Sequence, residues 1–340
     1  MIRIAINGFG RIGRCVLRAW VENRDLQKKL DIVHINSPAS VESAAHLLKY
    51  DSVHGVCPDV VEASDGGLRI GSHMIKYTQH RQLNALSWDE VDIVFECSGR
   101  FKSRADLNTH IQQGAHGVML SSPGQEVDRT IVFGVNEQQI TQSDRMISSA
   151  SCTTNCLAPI LKMTHDAFGI VSGFMTTTHA MTGDQRLIDS THNDLCRARS
   201  ASQSIIPTKT GAASSIGLVI PDLAGKIQGM ALRVPTVNVS MLDLTLKLKQ
   251  AVSVECLNDM FKDEASKLPN NMVACNSLPL VSTDFNHRFE SAIIDLRQTC
   301  VQEDLVKIMA WYDNEWGFAH RMLDLAEYWG EKVGIAAATN

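Results

Sequence analysis

The chain has 340 residues, 44% hydrophobic and 20% charged, with a net charge of −5 from 32 basic and 37 acidic side chains. That length exceeds the size at which single cores stop growing, so two domains are expected, and the scattered charge contains no basic run suited to a nucleic-acid backbone. No stretch approaches the ~18 apolar residues of a membrane span, and the N-terminus, with Arg3 inside a short apolar segment that meets Gly8 at once, does not suit a signal peptide's apolar core.

Short β-branched runs at residues 2–6, 31–35, 91–97, 117–121 and 146–149 alternate with helical patterns. The first crossover helix runs over residues 11–23, where Ile12, Val16, Leu17, Trp20 and Val21 repeat at helical spacing. Strands alternating with helices predict an α/β fold, an N-terminal Rossmann-type doubly wound parallel sheet over residues 1–150. After Ser151 longer alternating runs appear at residues 173–179, 226–234, 239–248 and 291–295. These predict an α+β domain over residues 151–315, with a mostly antiparallel or mixed sheet. Helices at 153–167, 210–219 and 254–267 would cover it. The last segment spaces Phe318, Met322, Leu323, Leu325, Ala326 and Trp329 as an amphipathic helix, and a C-terminal helix within 316–340 is expected to complete the first domain. The polar stretch 180–204 is too long for a plain connector.

Gly8-Phe9-Gly10-Arg11-Ile12-Gly13 matches G-x-G-x-x-G directly after an apolar strand and at the start of a helix. The first glycine permits the turn, the second lets a pyrophosphate approach the backbone, and the third lets helix and strand pack closely. An acidic residue closing the second strand normally accepts the ribose 2′-hydroxyl of NAD. Here that strand runs into Asn36-Ser37, and Asp31 lies at the wrong end. Without a carboxylate a 2′-phosphate is tolerated, so the cofactor is NAD or NADP; in the NAD case Asn36 or Ser37 would bond the hydroxyl.

Cys152 precedes an apolar-periodic segment, which places it near a helix N-terminus where the dipole favours a thiolate. His179 ends an apolar run and could serve as its base. Nine cysteines, an odd number, are widely scattered, and the closest pair, Cys152 and Cys156, lacks metal-site or redox-motif spacing. No metal site is expected, Cys156 reads as packing, and a reducing cytoplasmic setting fits best.

Five blocks carry a resemblance: Ser151-Cys152-Thr153-Thr154-Asn155-Cys156, residues 179–185, Ile205-Ile206-Pro207 with Thr210-Gly211-Ala212-Ala213, Arg233-Val234-Pro235-Thr236, and residues 311–316. Their order and extent over nearly the whole chain resemble the phosphorylating glyceraldehyde-3-phosphate dehydrogenase family. The resemblance implies that Cys152 attacks the aldehyde, His179 removes the hydroxyl proton as hydride leaves, and inorganic phosphate cleaves the thioester. It implies that the Cys152 amide and His179 stabilise the oxyanion. It further assigns Thr182 and Arg233 to the substrate phosphate, and Ser151, Thr153, Arg197, Thr210 and Gly211 to the attacking phosphate. Asn314 would fix the nicotinamide amide, and Ser98 and Ser121 would join the cofactor set.

Ser37 stands where most relatives carry aspartate, and Ser190-Thr191 where they carry a Leu-Pro-like pair; with Arg81 beside the adenine ribose, both resemble NADP-accepting relatives. Met181, Phe318, residues 201–207 and residues 284–287 resemble the erythrose-4-phosphate dehydrogenase branch, which supplies the alternative substrate, erythrose 4-phosphate. A semialdehyde dehydrogenase fits the paired phosphate pockets less well, and a non-enzymatic binding protein fits less well with Cys152, His179, Arg233 and Asn314 all present. By the same resemblance residues 180–204 lie at a subunit interface of a homotetramer.

Overall fold

A computed structural model of the chain describes residues 1–334, and these divide into two compact units. Residues 1–133 and 137–150 belong to the first, with the chain from Ala319 onward; residues 134–136 and 151–318 form the second. The last part of the expected C-terminal helix, residues 335–340, lies outside the described residues.

The elements of the first unit begin with β1 (Ile2–Asn7), α1 (Arg11–Glu22), β2 (Leu30–Asn36), α2 (Val41–Lys49) and a small ladder of β3 (Tyr50–Asp51) and β4 (Gly55–Val56). Three strands not foreseen from the sequence follow, β5 (Val61–Ser64), β6 (Gly67–Ile70) and β7 (His73–Thr78). Then come β8 (Ile93–Glu96), α3 (Arg104–Gln112), β9 (Gly117–Leu120), β10 (Arg129–Thr130) and β11 (Met146–Ser148). They form one sheet in the order β10-β11-β9-β8-β1-β2-β7-β6-β5. Every pair from β10 to β7 is parallel, while β5, β6 and β7 pair antiparallel as a meander at one edge. The central strands are apolar on both sides, as a sheet covered by helices on both faces requires. Successive strands depart from β1 in opposite directions, to β2 on one side and β8 on the other. This switch opens a crevice at the carboxyl ends of β1 and β8, where such sheets bind ligands.

The second unit contains α4 (Cys152–Phe168), β12 (Ile170–Ala180), β13 (Ile206–Thr208), α5 (Ala212–Val219), β14 (Ile227–Val234) and β15 (Ser240–Leu248). It continues with α6 (Val254–Ala265), β16 (Val273–Asn276), β17 (Ala292–Asp295), β18 (Cys300–Gln302) and β19 (Leu305–Tyr312). The sheet is mixed: β12 and β14 run parallel, as do β16 and β17, while β12–β15, β15–β19 and β17–β19 are antiparallel. Burial alternates along β15 and β19, so one face lies under α4, α5 and α6.

The last helix, α7 (Trp316–Lys332), buries Trp329 against the first unit's sheet. Gly117 at the start of β9 makes this possible, because a Cβ there would stand 2.5 Å from the Trp329 ring. Gly117→Ala is therefore expected to overpack this contact and destabilise the protein by about 1–3 kcal/mol. A lower urea midpoint at unchanged slope, with altered tryptophan fluorescence, is the expected result.

Candidate active site

The glycine turn after β1 is shaped by two steric limits. Gly8 has φ +99°, and a Cβ on it would lie 2.4 Å from the Ser98 nitrogen; a Cβ on Gly13 would meet the Gly8 carbonyl oxygen at 2.3 Å. Gly10 is the N-cap of α1, faces open space and offers no side-chain cap to the helix amides. That leaves an uncapped helix N-terminus, the arrangement that holds phosphate. Gly8, Gly10, Asn36, Ser37, Arg81 and Ser98 line one hollow, joined by His80 and Arg100, to which the sequence reading assigned no role.

Other members of the expected cofactor set are engaged within the fold. Arg11 is held by Asp51 at 2.6 Å, and Ile12 sits half-buried in the first turn of α1. The expectation that Asn36 bonds a ribose hydroxyl is corrected: its Nδ2 donates to Asn7 Oδ1 (2.7 Å) and the His80 carbonyl (3.0 Å), while its Oδ1 accepts from Thr78 Oγ1 and the His80 amide. All its hydrogen-bonding capacity is used inside the protein. Ser37 remains at the wall of the hollow. Ser98 donates its amide and its hydroxyl to Glu96, and Ser121 donates both of its groups to the Glu96 carbonyl oxygen.

The second site forms where α4 begins and β12 ends. Ser151 is the N-cap of α4, its hydroxyl accepting from the Thr154 amide at 3.1 Å and meeting Thr154 Oγ1 at 2.7 Å, so Cys152 is the first helical residue. Cys152 Sγ lies 3.6 Å from His179 Nε2. The other ring nitrogen, Nδ1, lies 2.7 Å from the Ala180 carbonyl oxygen. Two groups compete for Nδ1, since the Ala180 oxygen can only accept and Arg233 Nη1, 2.9 Å away, can only donate; the tautomer with its proton on Nδ1 leaves Nε2 as an acceptor facing the thiol. Arg233 Nη1 donates to the same carbonyl at 3.3 Å, which places its charge 2.9 Å from Nδ1.

Burial and this arginine set the protonation of the pair. Burial, then the charges of Arg233 and Arg197, push His179 down to about 3. Burial pushes the Cys152 thiol up, opposed by the Arg233 charge and by hydrogen bonds from Thr153 and the helix amides. Desolvation thus opposes the thiolate that the helix N-terminus and Arg233 favour.

Tyr312, to which the sequence reading gave no role, ties the two elements together. Its buried phenol bonds Thr153 Oγ1 (2.9 Å) on α4 and Thr177 Oγ1 (2.7 Å) on β12, and its ring packs edge-on against His179. The Thr153 hydroxyl thus reaches both Tyr312 and the Cys152 sulfur. Ser240 is a second unforeseen support: its hydroxyl accepts from the Ala180 amide and donates to Asn314 Oδ1 at 2.8 Å. Asn314 Nδ2 is left as the free end of that amide.

Of the remaining anion-site residues, Thr182 is half-buried with its amide on Gln185 Oε1, and Arg233 keeps a buried Nε without a partner. Arg197 is paired with Asp184 at 2.6 Å and Asp194 at 3.4 Å, yet its charge still acts on His179 and Arg233. Arg197 and Thr210 line one open cavity together with Lys209, and the Thr210 hydroxyl accepts from the Ala212 amide beside Gly211, the N-cap of α5.

Comparison with known proteins agrees with this geometry. Residues 2–104 match the family described as glyceraldehyde 3-phosphate dehydrogenase, NAD binding domain, and residues 151–314 match glyceraldehyde 3-phosphate dehydrogenase, C-terminal domain. The chain is 50% identical over 327 residues to the glyceraldehyde-3-phosphate dehydrogenase of Pseudomonas aeruginosa, covering 96% of this chain and 97% of that one. It is 47% identical over 326 residues to that of Cereibacter sphaeroides, with coverage of 96% and 97%. To the chloroplastic glyceraldehyde-3-phosphate dehydrogenase A of Zea mays it is 45% identical over 330 residues, covering 96% of this chain and 82% of the other.

Removing the Arg233 charge takes away the neighbour that favours the thiolate, so Arg233→Leu is expected to shift the pH profile of Cys152 alkylation by iodoacetamide to higher pH. An unchanged profile would show that the charge does not act on the sulfur.

Proposed function

The chain belongs to the glyceraldehyde-3-phosphate dehydrogenase family, and on that premise we propose that it oxidises glyceraldehyde 3-phosphate and inorganic phosphate to 1,3-bisphosphoglycerate, reversibly, with NAD or NADP as hydride acceptor. The observation that carries this reading is the 3.6 Å approach of Cys152 Sγ to His179 Nε2 beside the Arg233 charge. The relatives' names favour the triose over erythrose 4-phosphate.

In the proposed chemistry His179 Nε2 takes the thiol proton as sulfur bonds the aldehyde carbon, and returns it to the developing oxyanion to give a thiohemiacetal hydroxyl. The Cys152 amide at the start of α4 supports the oxyanion. A dinucleotide held at the Gly8–Gly10 turn and the N-terminus of α1 would supply the nicotinamide as hydride acceptor. As the hydride leaves, His179 removes the hydroxyl proton and a thioester remains on Cys152. A phosphate oxygen then attacks the thioester carbon, the C–S bond breaks, and the acyl phosphate departs. Thr182 and Arg233 would hold the substrate's phosphate, while Ser151, Arg197, Thr210 and Gly211 would surround the attacking one. Arginine and hydroxyl donors suit both tasks. The unpartnered, buried Arg233 Nε supports an anion at its side.

Use of NADP is part of the proposal. The end of β2 carries Ser37 in place of a carboxylate, and Arg81 and Arg100 line the same hollow, so a 2′-phosphate meets cations instead of repulsion. A homotetramer is also proposed: Leu187, Ile188, Leu195 and Ile205, all within or beside the long loop, are 67–82% exposed, more apolar surface than a lone subunit favours. Free thiols at all nine cysteines support a reducing, cytoplasmic setting.

Cys152→Ser is expected to lower kcat by at least about 1,000-fold, an order of ~4 kcal/mol, and to abolish the stoichiometric thioester seen by mass spectrometry of acid-quenched enzyme. Full activity in this variant would remove Cys152 from the chemistry. Wild-type kcat/KM for NADP should fall within about 100-fold of that for NAD, and Ser37→Asp should lower the NADP value by about tenfold or more, through repulsion of the 2′-phosphate.

A further inference from the structure

Glu96 closes β8 with no exposed surface, at the floor of the dinucleotide crevice, and the proposed chemistry does not use it. Its carboxylate accepts four hydrogen bonds: Oε1 from the amide and hydroxyl of Ser98, and Oε2 from Asn7 Nδ2 (2.5 Å) and His110 Nε2 (3.0 Å). The histidine's tautomer follows from its other neighbour. Trp88 Nε1–H, which can only donate, lies 2.9 Å from His110 Nδ1. Nδ1 is therefore the bare nitrogen and Nε2 carries the proton that faces Glu96.

Beyond Asn7 the donors keep pointing the same way. Asn36 Nδ2 donates to Asn7 Oδ1, and Thr78 Oγ1 donates to Asn36 Oδ1. Asn7, Asn36 and Thr78 end β1, β2 and β7, so one polarised chain along the carboxyl ends of these strands terminates on the carboxylate, and His110 of α3, paired with Trp88, meets it as well. A buried amide has two orientations of nearly equal shape, and only its partners choose between them. Here Glu96 sets the Asn7 amide from one side, and the His80 backbone, acting through Asn36, agrees with it from the other.

We propose that Glu96 is a positioning residue for the dinucleotide: by accepting from both sides it fixes the Ser98 turn against Gly8 and the amide of Asn7 at the end of β1, with Trp88 and His110 as its outer support. The proposal rests on the reading of this crevice as the cofactor site. It concerns affinity and not the reaction at Cys152, which separates it from a general loss of function.

Glu96→Gln is isosteric but adds an N–H facing donors from Ser98, Asn7 or His110, so the amide of Asn7 or the Ser98 turn must reorient. Dissociation constants for NAD and NADP, measured by fluorescence quenching or calorimetry without substrate, should rise about tenfold or more. Turnover at saturating cofactor should stay within about threefold of wild type, since the loss is one of binding. His110→Leu, which fills the space without a donor, should weaken binding as well, whereas His110→Gln, which keeps a donor for Glu96 and an acceptor for Trp88, should restore most of it. Wild-type affinity in Glu96→Gln, or equal weakening in the two His110 variants, would overturn the proposal. Failure of the wild-type protein to bind either dinucleotide would overturn the reading of the crevice, and the positioning role with it.

Discussion

Holding a thiol and an imidazole in contact while keeping both largely out of water is the condition on which the second unit depends. Desolvation raises the sulfur and lowers the ring, so an ion pair between them is disfavoured at rest. Arg233 works on both partners at once, favouring negative charge on sulfur and opposing positive charge on the imidazole. A site with that balance gains most when an anionic substrate arrives and a carbonyl oxygen begins to collect charge. The geometry is correspondingly over-determined: Ser151 caps α4, Ala180 orients the ring, and Tyr312 pins the helix to the strand.

The same logic recurs in the first unit with different chemistry. Close approach of backbone at Gly8 and Gly13 opens the crevice, and an uncapped helix N-terminus leaves amides for phosphate. Beneath them lies a polar floor in which buried donors converge on a carboxylate instead of being left unpaired. Apolar side chains would pack there but would not choose amide orientations, and a binding surface made of amide edges depends on that choice.

Elements with strong periodicity were legible from the residues. The runs that became β1, β2, β8, β9, β12, β14 and β15, and the helices α1, α4 and α6, are expected within a few residues of where they lie. The meander β5 to β7 is not, because its strands are short, half-exposed and broken by Asp-Gly-Gly and Gly-Ser turns, so alternation never accumulates. β19 alternates cleanly between buried and partly buried positions, but Lys307 and Ala310 blur the apolar signal. α3 opens on a capping box of Ser103 and Asp106, a start signal carried by two polar side chains and not by apolar periodicity.

By itself the sequence determined the glycine turn and the lack of a carboxylate after β2, because these are local matters of residue type and spacing, whereas Cys152 and His179 stood out through the blocks that resemble the family. Tertiary structure alone decided that the Asn36 amide is spent internally, that the Thr153 hydroxyl meets Tyr312, that burial works against the Cys152 thiolate, and that Glu96 gathers donors from Asn7, Ser98 and His110. Those outcomes depend on which groups far apart in the chain lose water together, and hydrogen-bond partners and protonation follow from that shared burial and not from neighbours in sequence.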